Sequence, residues 1–419
     1  MKEMAPEKER ILQFVNEERL VKLGKSMIKI PSPTGEESEL ARFLEKYMRD
    51  NGLKTELIEA EAGRFQPVGI IKGTGGGLSL MFNGHIDAEV PKLGEPWPPV
   101  PRVEGGKLYG HGIYNMKGGT AAMIEAAVAV RKSGVRLKGD LIVTPVVGEL
   151  QGSFGTASNL KRGIRADYAL VPEPYDEFFC LTHVGCMQIE VTLRGRSVVT
   201  GDMEHGVSVA PKMAKAIDAL TNLKLTHKPD PRFPGGPKLS VGSVICGHGD
   251  TCSLKGANFL PDCGIMILDI RYLPGMTPQK DVARVLEKLK AEDPQFNYEM
   301  RVTPDAPGLP GMPWENYRIT IPPQDLSPDE LIVKAHAKNY KALTGKEPRI
   351  GAIPPDDPHH YKMYWINDDS LLTKAGIPAF CHGPIGSGTP GQRHVEIDSM
   401  MRIAQSYALT AYDICNTPK

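Results

Sequence analysis

The sequence predicts an α/β protein in which one larger domain is interrupted by a smaller β-α-β-β-α-β insert. Three observations carry this expectation. Short continuous apolar runs alternate with helical periodicities through the first part of the chain, at Val68–Ile71, Leu78–Phe82, Leu141–Val147 and Tyr168–Val171. Such runs fit strands covered on both sheet faces by helices. Near residue 187 the texture changes, and Met187–Leu193 alternates like a half-exposed strand. A Pro-rich passage from Pro304 to Pro328 then leads back to the first texture.

In order, residues 7–23 and 37–51 read as helices. The second opens on a capping box of Thr34 with Glu37, carries the apolar stripe Leu40, Phe43, Leu44 and Met48, and stops at Gly52. Gly118–Ser133 is alanine-rich and helical, closed by Gly134. Inside the insert, a helix at Ala210–Leu223 is followed by strands at Lys238–Val244 and Ile265–Tyr272, a helix at Lys280–Ala291 and a strand at Phe296–Val302. After the Pro-rich passage come a helix at Asp329–Thr344, a short strand at Ala379–Cys381 and a last helix from about Glu396. The expected domains are 1–186 with 304–419, and 187–303 between them.

Composition excludes several function classes. The chain of 419 residues holds two domains of roughly 100–200 residues each. Lys+Arg and Asp+Glu balance at 50 each, so no global field draws nucleic acid or an anionic membrane surface. No apolar run approaches the ~18 residues a membrane span needs, and Met1–Lys8 lacks the apolar core of a signal peptide. Seven cysteines without a CxxC pair fit free, mostly buried thiols in a reducing cytoplasm.

The residues that carry chemistry fall at successive strand ends. His85 and Asp87 follow Leu78–Phe82, Glu149 follows Leu141–Val147, and Glu173 follows Tyr168–Val171. Asn115 stands in a glycine-rich loop, Gly110-His111-Gly112-Ile113-Tyr114-Asn115, ahead of a helix. Open α/β sheets gather ligands at the carboxyl ends of their strands. A histidine steadied by a carboxylate, with acidic oxygens nearby, makes a set that suits a divalent cation.

This ordered set resembles the co-catalytic di-zinc metallopeptidase family of aminoacylase, succinyl-diaminopimelate desuccinylase and carboxypeptidase-type glutamate hydrolases. The resemblance runs through His85-Ile86-Asp87, Tyr114-Asn115-Met116-Lys117-Gly118-Gly119, Glu149 before Gly152-Ser153, and Val171-Pro172-Glu173-Pro174. It continues in Asn258-Phe259-Leu260-Pro261-Asp262, Asp269-Ile270-Arg271, Gly376-Ile377-Pro378 and Gly383-Pro384. It implies a zinc-peptidase-like catalytic domain with an inserted ferredoxin-like lid (dimerisation) domain, hence a homodimer. It also implies one metal on His85, the position of Asn115 and Glu173, with Glu149 as general base and Asp87 steadying His85.

Departures from the family pattern cluster on the second metal. Asn115 stands where the family has a bridging aspartate, Leu150 where it has the second Glu of a pair, and Gly388 near its C-terminal His. An amide cannot offset the repulsion of two close dications as a carboxylate does. The expectation is therefore one divalent ion per chain, Mn²⁺ or Zn²⁺, on His85, Glu173 and Asn115, with net charge suited to a small anionic substrate. His394 or His359 replaces a lost ligand only if its loop is rearranged. In the insert, Val199 takes the place of an oxyanion-binding His. Asn258, His205 and His359 are the candidate substrate contacts.

Three functions follow as expectations. The first is hydrolytic deamination of an aromatic amine of the 5-nitroanthranilate kind. Its charge flows into ring and nitro group, so it does without a second metal and an oxyanion donor. The second is an N-acyl-amino-acid deacylase or dipeptidase with a rearranged second site. The third is a non-catalytic binding protein on the same fold.

Overall fold

The computed structural model describes residues 4–92, 97–302 and 320–419. The chain divides into two compact units. The first comprises 1–182, 324–353 and 367–419, and the second 183–323 with 354–366. Much of the Pro-rich passage, and the expected return at residue 304, lie outside the described residues.

The first unit is built on an eight-stranded sheet in the order Lys54–Glu61, Arg64–Ile71, Leu141–Val146, Leu80–His85, Tyr168–Val171, Ala379–Cys381, Phe179–Cys180, Ile350–Gly351. Its four central strands, Leu141–Val146 to Ala379–Cys381, run parallel. Leu80, Phe82, Val143, Leu170 and Val171 are fully buried, as expected for strands covered on both faces. Parallel pairing brings the carboxyl ends of these strands side by side. The residues just beyond them, Asp87, Glu149 and Glu173, are thereby set along one edge. Gly118–Ser133 is the helix the sequence predicts, and its first turn explains the glycine pair: a Cβ on Gly119 would stand 2.1 Å from the Pro172 carbonyl oxygen.

The second unit carries an antiparallel sheet in the order Lys238–Gly247, Cys263–Tyr272, Gly185–Arg194, Asn297–Val302, with Thr320–Ile321 also paired to Gly185–Arg194. Numbered along the chain this is 2-3-1-4, the ferredoxin-like arrangement. The helices Ala210–Thr221 and Pro278–Glu292 cover one face through Met213, Ala216, Leu220, Val282 and Leu286 on Ile189, Val191 and Leu193.

Three local expectations are corrected. The first helical stretch is two helices, Pro6–Gln13 and Glu17–Lys29, because the Asn16 side chain accepts the Arg19 backbone N–H at 2.8 Å and starts a new helix. The Thr34–Glu37 capping box does not form. Glu37 is buried against the Arg64 guanidinium, and the Thr34 hydroxyl donates to Asp87 Oδ2 at 3.1 Å. The strand expected to stop at Phe82 runs on through His85, which places the imidazole inside the sheet rather than after it. Among the described residues, no helix is long and apolar enough to cross a membrane.

Candidate metal centre

His85 is the last residue of a central strand and is fully buried. Its Nδ1 lies 2.9 Å from the Asp87 backbone oxygen and 3.2 Å from Asp87 Oδ1. Both are acceptors, so Nδ1 carries the hydrogen and Nε2 is left as a lone pair. Asp87 is in turn fixed by the backbone N–H groups of Glu149 and Leu150, each 3.1 Å from its carboxylate. Burial works to raise the Asp87 pKa, but His85 and these N–H groups outweigh it and hold the carboxyl below its usual range.

The Nε2 side of the ring faces further electron-pair donors. Asn115 Oδ1 is 2.7 Å away, Glu173 Oε1 3.4 Å and Glu149 Oε2 4.0 Å. His85, Glu149 and Glu173 bring one ligand atom each within 4.8 Å of one another, all three buried. Glu149 Oε1 and Glu173 Oε2 are buried without a hydrogen-bond partner. An imidazole nitrogen, an amide oxygen and two carboxylates do not converge when buried without a positive charge, a proton or a cation, between them.

Electrostatics repeats the demand. Burial lowers the His85 pKa, yet Asp87 and Glu173 beside it drive it well above the usual imidazole range. A proton is here attracted to the place a cation suits. Burial pushes Glu149 well above the carboxylate range, with Glu173, Asp368 and Asp87 adding to the rise against His85. Asp368 is pushed up to about 6, chiefly by burial. Four buried carboxyls therefore surround one imidazole, and the residues present fit a divalent ion.

The loop bearing Asn115 is pinned from both sides. Lys117 Nζ donates to the carbonyls of Met27 and Ile30 at 2.9 and 3.0 Å, closing the end of the Glu17–Lys29 helix. Burial pulls the Lys117 pKa down to about 7. The Tyr114 ring lies against the backbone of Gly386 and Gly388: a Cβ built on either glycine would stand 2.9 Å from it. Tyr114 is itself buried, its hydroxyl 3.4 Å from the Pro174 carbonyl oxygen. The backbone at Gly386 and Gly388 is thus packed against an aromatic ring. His394 belongs to the short strand His394–Glu396, with Nδ1 2.8 Å from the Gln392 carbonyl oxygen and its ring 5.0 Å from Tyr109. It is not one of the residues of the His85 cluster.

Of the sequence-derived candidates, the structure brings together His85, Asp87, Asn115, Glu149 and Glu173. Asn258, His205 and His359 belong to the second unit. The Asn258 carbonyl accepts the Thr200 N–H and hydroxyl at 2.8 and 3.0 Å. His205 is exposed beside Asp202 at 2.6 Å, and His359 Nδ1 lies 3.3 Å from Asp357 Oδ1. Sequence reasoning missed Asp368. It is fully buried and held by the Asn83 amide at 3.2 Å, and its charge bears on Glu149. The only hint was its place in Asn367-Asp368-Asp369, an acidic pair opening a helix, which reads as an ordinary helix start.

Comparison with known proteins places this geometry. The model of peptidase family M20/M25/M40 matches residues 81–411. The N-formyl-4-amino-5-aminomethyl-2-methylpyrimidine deformylase of Bacillus subtilis is 30% identical over 64% of this chain and 67% of its own. The protein of the same name from Halalkalibacterium halodurans is 26% identical over 96% of both chains. A tripeptidase structure from Staphylococcus aureus superposes with a TM-score of 0.70 at 19% identity, covering 96% of this chain and 99% of the other. With the family model spanning most of its length, the chain belongs to peptidase family M20/M25/M40 and is a divalent-metal-dependent hydrolase of C–N bonds.

Proposed function

We propose that this chain binds a single divalent ion, Mn²⁺ or Zn²⁺, through His85, Glu173 and Asn115 Oδ1, and hydrolyses an aromatic C–N bond, releasing ammonia. A 5-nitroanthranilate-like substrate is the specific reading. The observation that carries it is the asymmetry of the site. Donors converge on His85 Nε2, while Leu150 and Gly388, which the family resemblance assigns to a second metal, offer no ligand, and Gly388 packs on Tyr114.

A divalent ion held by His85, Glu173 and Asn115 would supply Lewis acidity to a water and to an ortho amino-carboxylate. Glu149, with one buried oxygen lacking a partner, takes a proton from that water. The water oxygen bonds to the ring carbon that bears nitrogen, and the electron pair moves into the ring and its nitro group. Glu149 then gives the proton to nitrogen, the C–N bond breaks, and ammonia leaves with a phenol remaining. Asp87 holds the His85 ring in the tautomer that leaves Nε2 free.

Amide hydrolysis of an N-formyl or N-acyl amine is the second reading, favoured by the names of the two deformylases that align with this chain. The two readings part on the product. Chelator-treated protein given one equivalent of Mn²⁺ or Zn²⁺ is incubated with 5-nitroanthranilate and, separately, with an N-formyl aminomethyl pyrimidine. Ammonia from the first supports the aminohydrolase. Formate from the second, without ammonia from the first, replaces it with the deformylase.

We also propose that the second unit is the lid and dimerisation domain. Lys238–Gly247 stands at the edge of its sheet among the described residues, where unpaired backbone groups suit pairing with a second copy. Light scattering giving a monomer mass would remove the homodimer. Asn258, His205 and His359 remain the candidate contacts for the anionic substrate.

A further inference from the structure

Three of the seven cysteines, Cys246, Cys252 and Cys263, lie in the second unit where one sheet edge turns. The strands Lys238–Gly247 and Cys263–Tyr272 are antiparallel neighbours, with Gly247 opposite Cys263 and Cys246 opposite Gly264. On leaving Gly247 the chain doubles back at once. His248 and Ser253 exchange two backbone hydrogen bonds of 2.9 Å, and the turn passes through Gly249 at φ +65° and Cys252 at φ +48°. Gly247 is required here, because a Cβ would stand 2.4 Å from the Cys252 carbonyl oxygen. The left-handed region disfavours a residue with a side chain, so the turn holds Cys252 in place against a backbone preference.

This turn lays Cys252 directly on Cys263. Their sulfurs are 3.1 Å apart, and each residue is 1% exposed. The neighbourhood is not that of inert core thiols. Arg194 Nη1 lies 3.5 Å from Cys263 Sγ and is steadied by Asp250 Oδ1 at 2.7 Å. Cys263 is thus the sulfur of the pair that has a cationic side chain against it. Cys246 is half-buried.

We propose that Cys252 and Cys263 are a reversible thiol–disulfide pair that closes under peroxide. The Cys263 sulfur attacks one peroxide oxygen, the O–O bond breaks, and the thiol proton leaves with the departing hydroxide as water, so that Cys263 becomes a sulfenic acid. Cys252 sulfur then attacks Cys263 sulfur, the S–O bond breaks, and a second water leaves. Overall two thiols and one hydrogen peroxide give one disulfide and two waters.

The bridge ties the ends of the 252–263 loop, which is joined to its neighbour by Thr200 donating to the Asn258 carbonyl and by Leu260 N–H donating to the Val198 carbonyl at 2.8 Å. Closure therefore stiffens the segment that carries Asn258. This inference is independent of the reaction proposed above.

The test treats the full chain with hydrogen peroxide, then alkylates, digests with trypsin and maps by mass. Cleavage at the exposed Lys255, between the two cysteines, separates them unless they are bridged. The expected result is loss of two alkylatable thiols, a mass lower by two hydrogens, a linked pair of peptides holding Cys252 and Cys263, and full reversal by dithiothreitol. Cys252→Ser and Cys263→Ser should each abolish the linked pair, and Cys246→Ser should leave it. Seven alkylatable thiols after peroxide, a bridge through Cys246, or oxidation that stops at a sulfinic acid on Cys263 would each overturn the proposal.

Discussion

Two regions at the carboxyl ends of the central strands contrast in this protein. Around His85, buried charge is concentrated: Asp87, Glu149, Glu173 and Asp368 all sit within electrostatic reach of one imidazole. Around Tyr114 the space is filled by an aromatic ring lying on two glycines, with Leu150 in place of a carboxylate. One region thus concentrates buried charge that demands a cation, and the other is packed by an aromatic ring on glycine backbone.

The largest expected effect breaks the charged flank. Glu149→Gln should lower turnover by about 10²–10⁴-fold with bound metal unchanged, as read from rates and elemental analysis on one preparation. Unaltered activity would deny Glu149 a role, and no activity in either protein would turn attention to a binding protein. Next, His85→Ala and Glu173→Ala should each strip the metal during gel filtration. Leu150→Glu and Asn115→Asp, made singly, should leave the metal count where it is in the parent, because Tyr114 still fills the other flank. A second ion in either variant would remove Tyr114 from the account.

The filled flank is probed by packing. Tyr114→Ala should cost about 3 kcal/mol in denaturant unfolding. Gly388→His should cost about 1–3 kcal/mol through crowding. In the double variant the two costs should be less than additive. Strict additivity would mean that ring and glycine are not in contact.

The smallest effect is a pH slope. In metal-free protein, Glu149, Asp368 and His85 hold their protons above the values of the unfolded chain. Stability from these groups is complete below the unfolded carboxylate range and fades as pH rises through the folded values, with Asp368 passing at about 6. Melting temperature should fall between about pH 5 and pH 7 with chelator present, and saturating divalent ion should flatten the slope. An equal slope with and without the ion would contradict the placement of the cation among these carboxyls.

How far the sequence reached depends on what each signal encodes. The helix Gly118–Ser133 and the strands Tyr168–Val171 and Ala379–Cys381 match their expected bounds, because unbroken apolar runs between glycine or proline signals leave little choice. The strand Lys54–Glu61 went unseen: its burial alternates only weakly, and Glu and Lys dominate it. Thr34 and Glu37 had the spacing of a helix cap, but tertiary partners won, Arg64 taking Glu37 and Asp87 taking Thr34. His85, Asp87, Glu149 and Glu173 were legible because each ends or follows an apolar strand, and Asn115 because it stands in a glycine-rich loop. Asp368 was not, since it reaches the site from a helix start far along the chain, and only packing brings it there.

Most direct is the metal content of the purified full chain, determined by elemental analysis against amino-acid quantitation. The account expects one divalent ion per chain, lost together with activity on chelation and restored by one equivalent. Two ions per chain, or full turnover by protein carrying none, would contradict it.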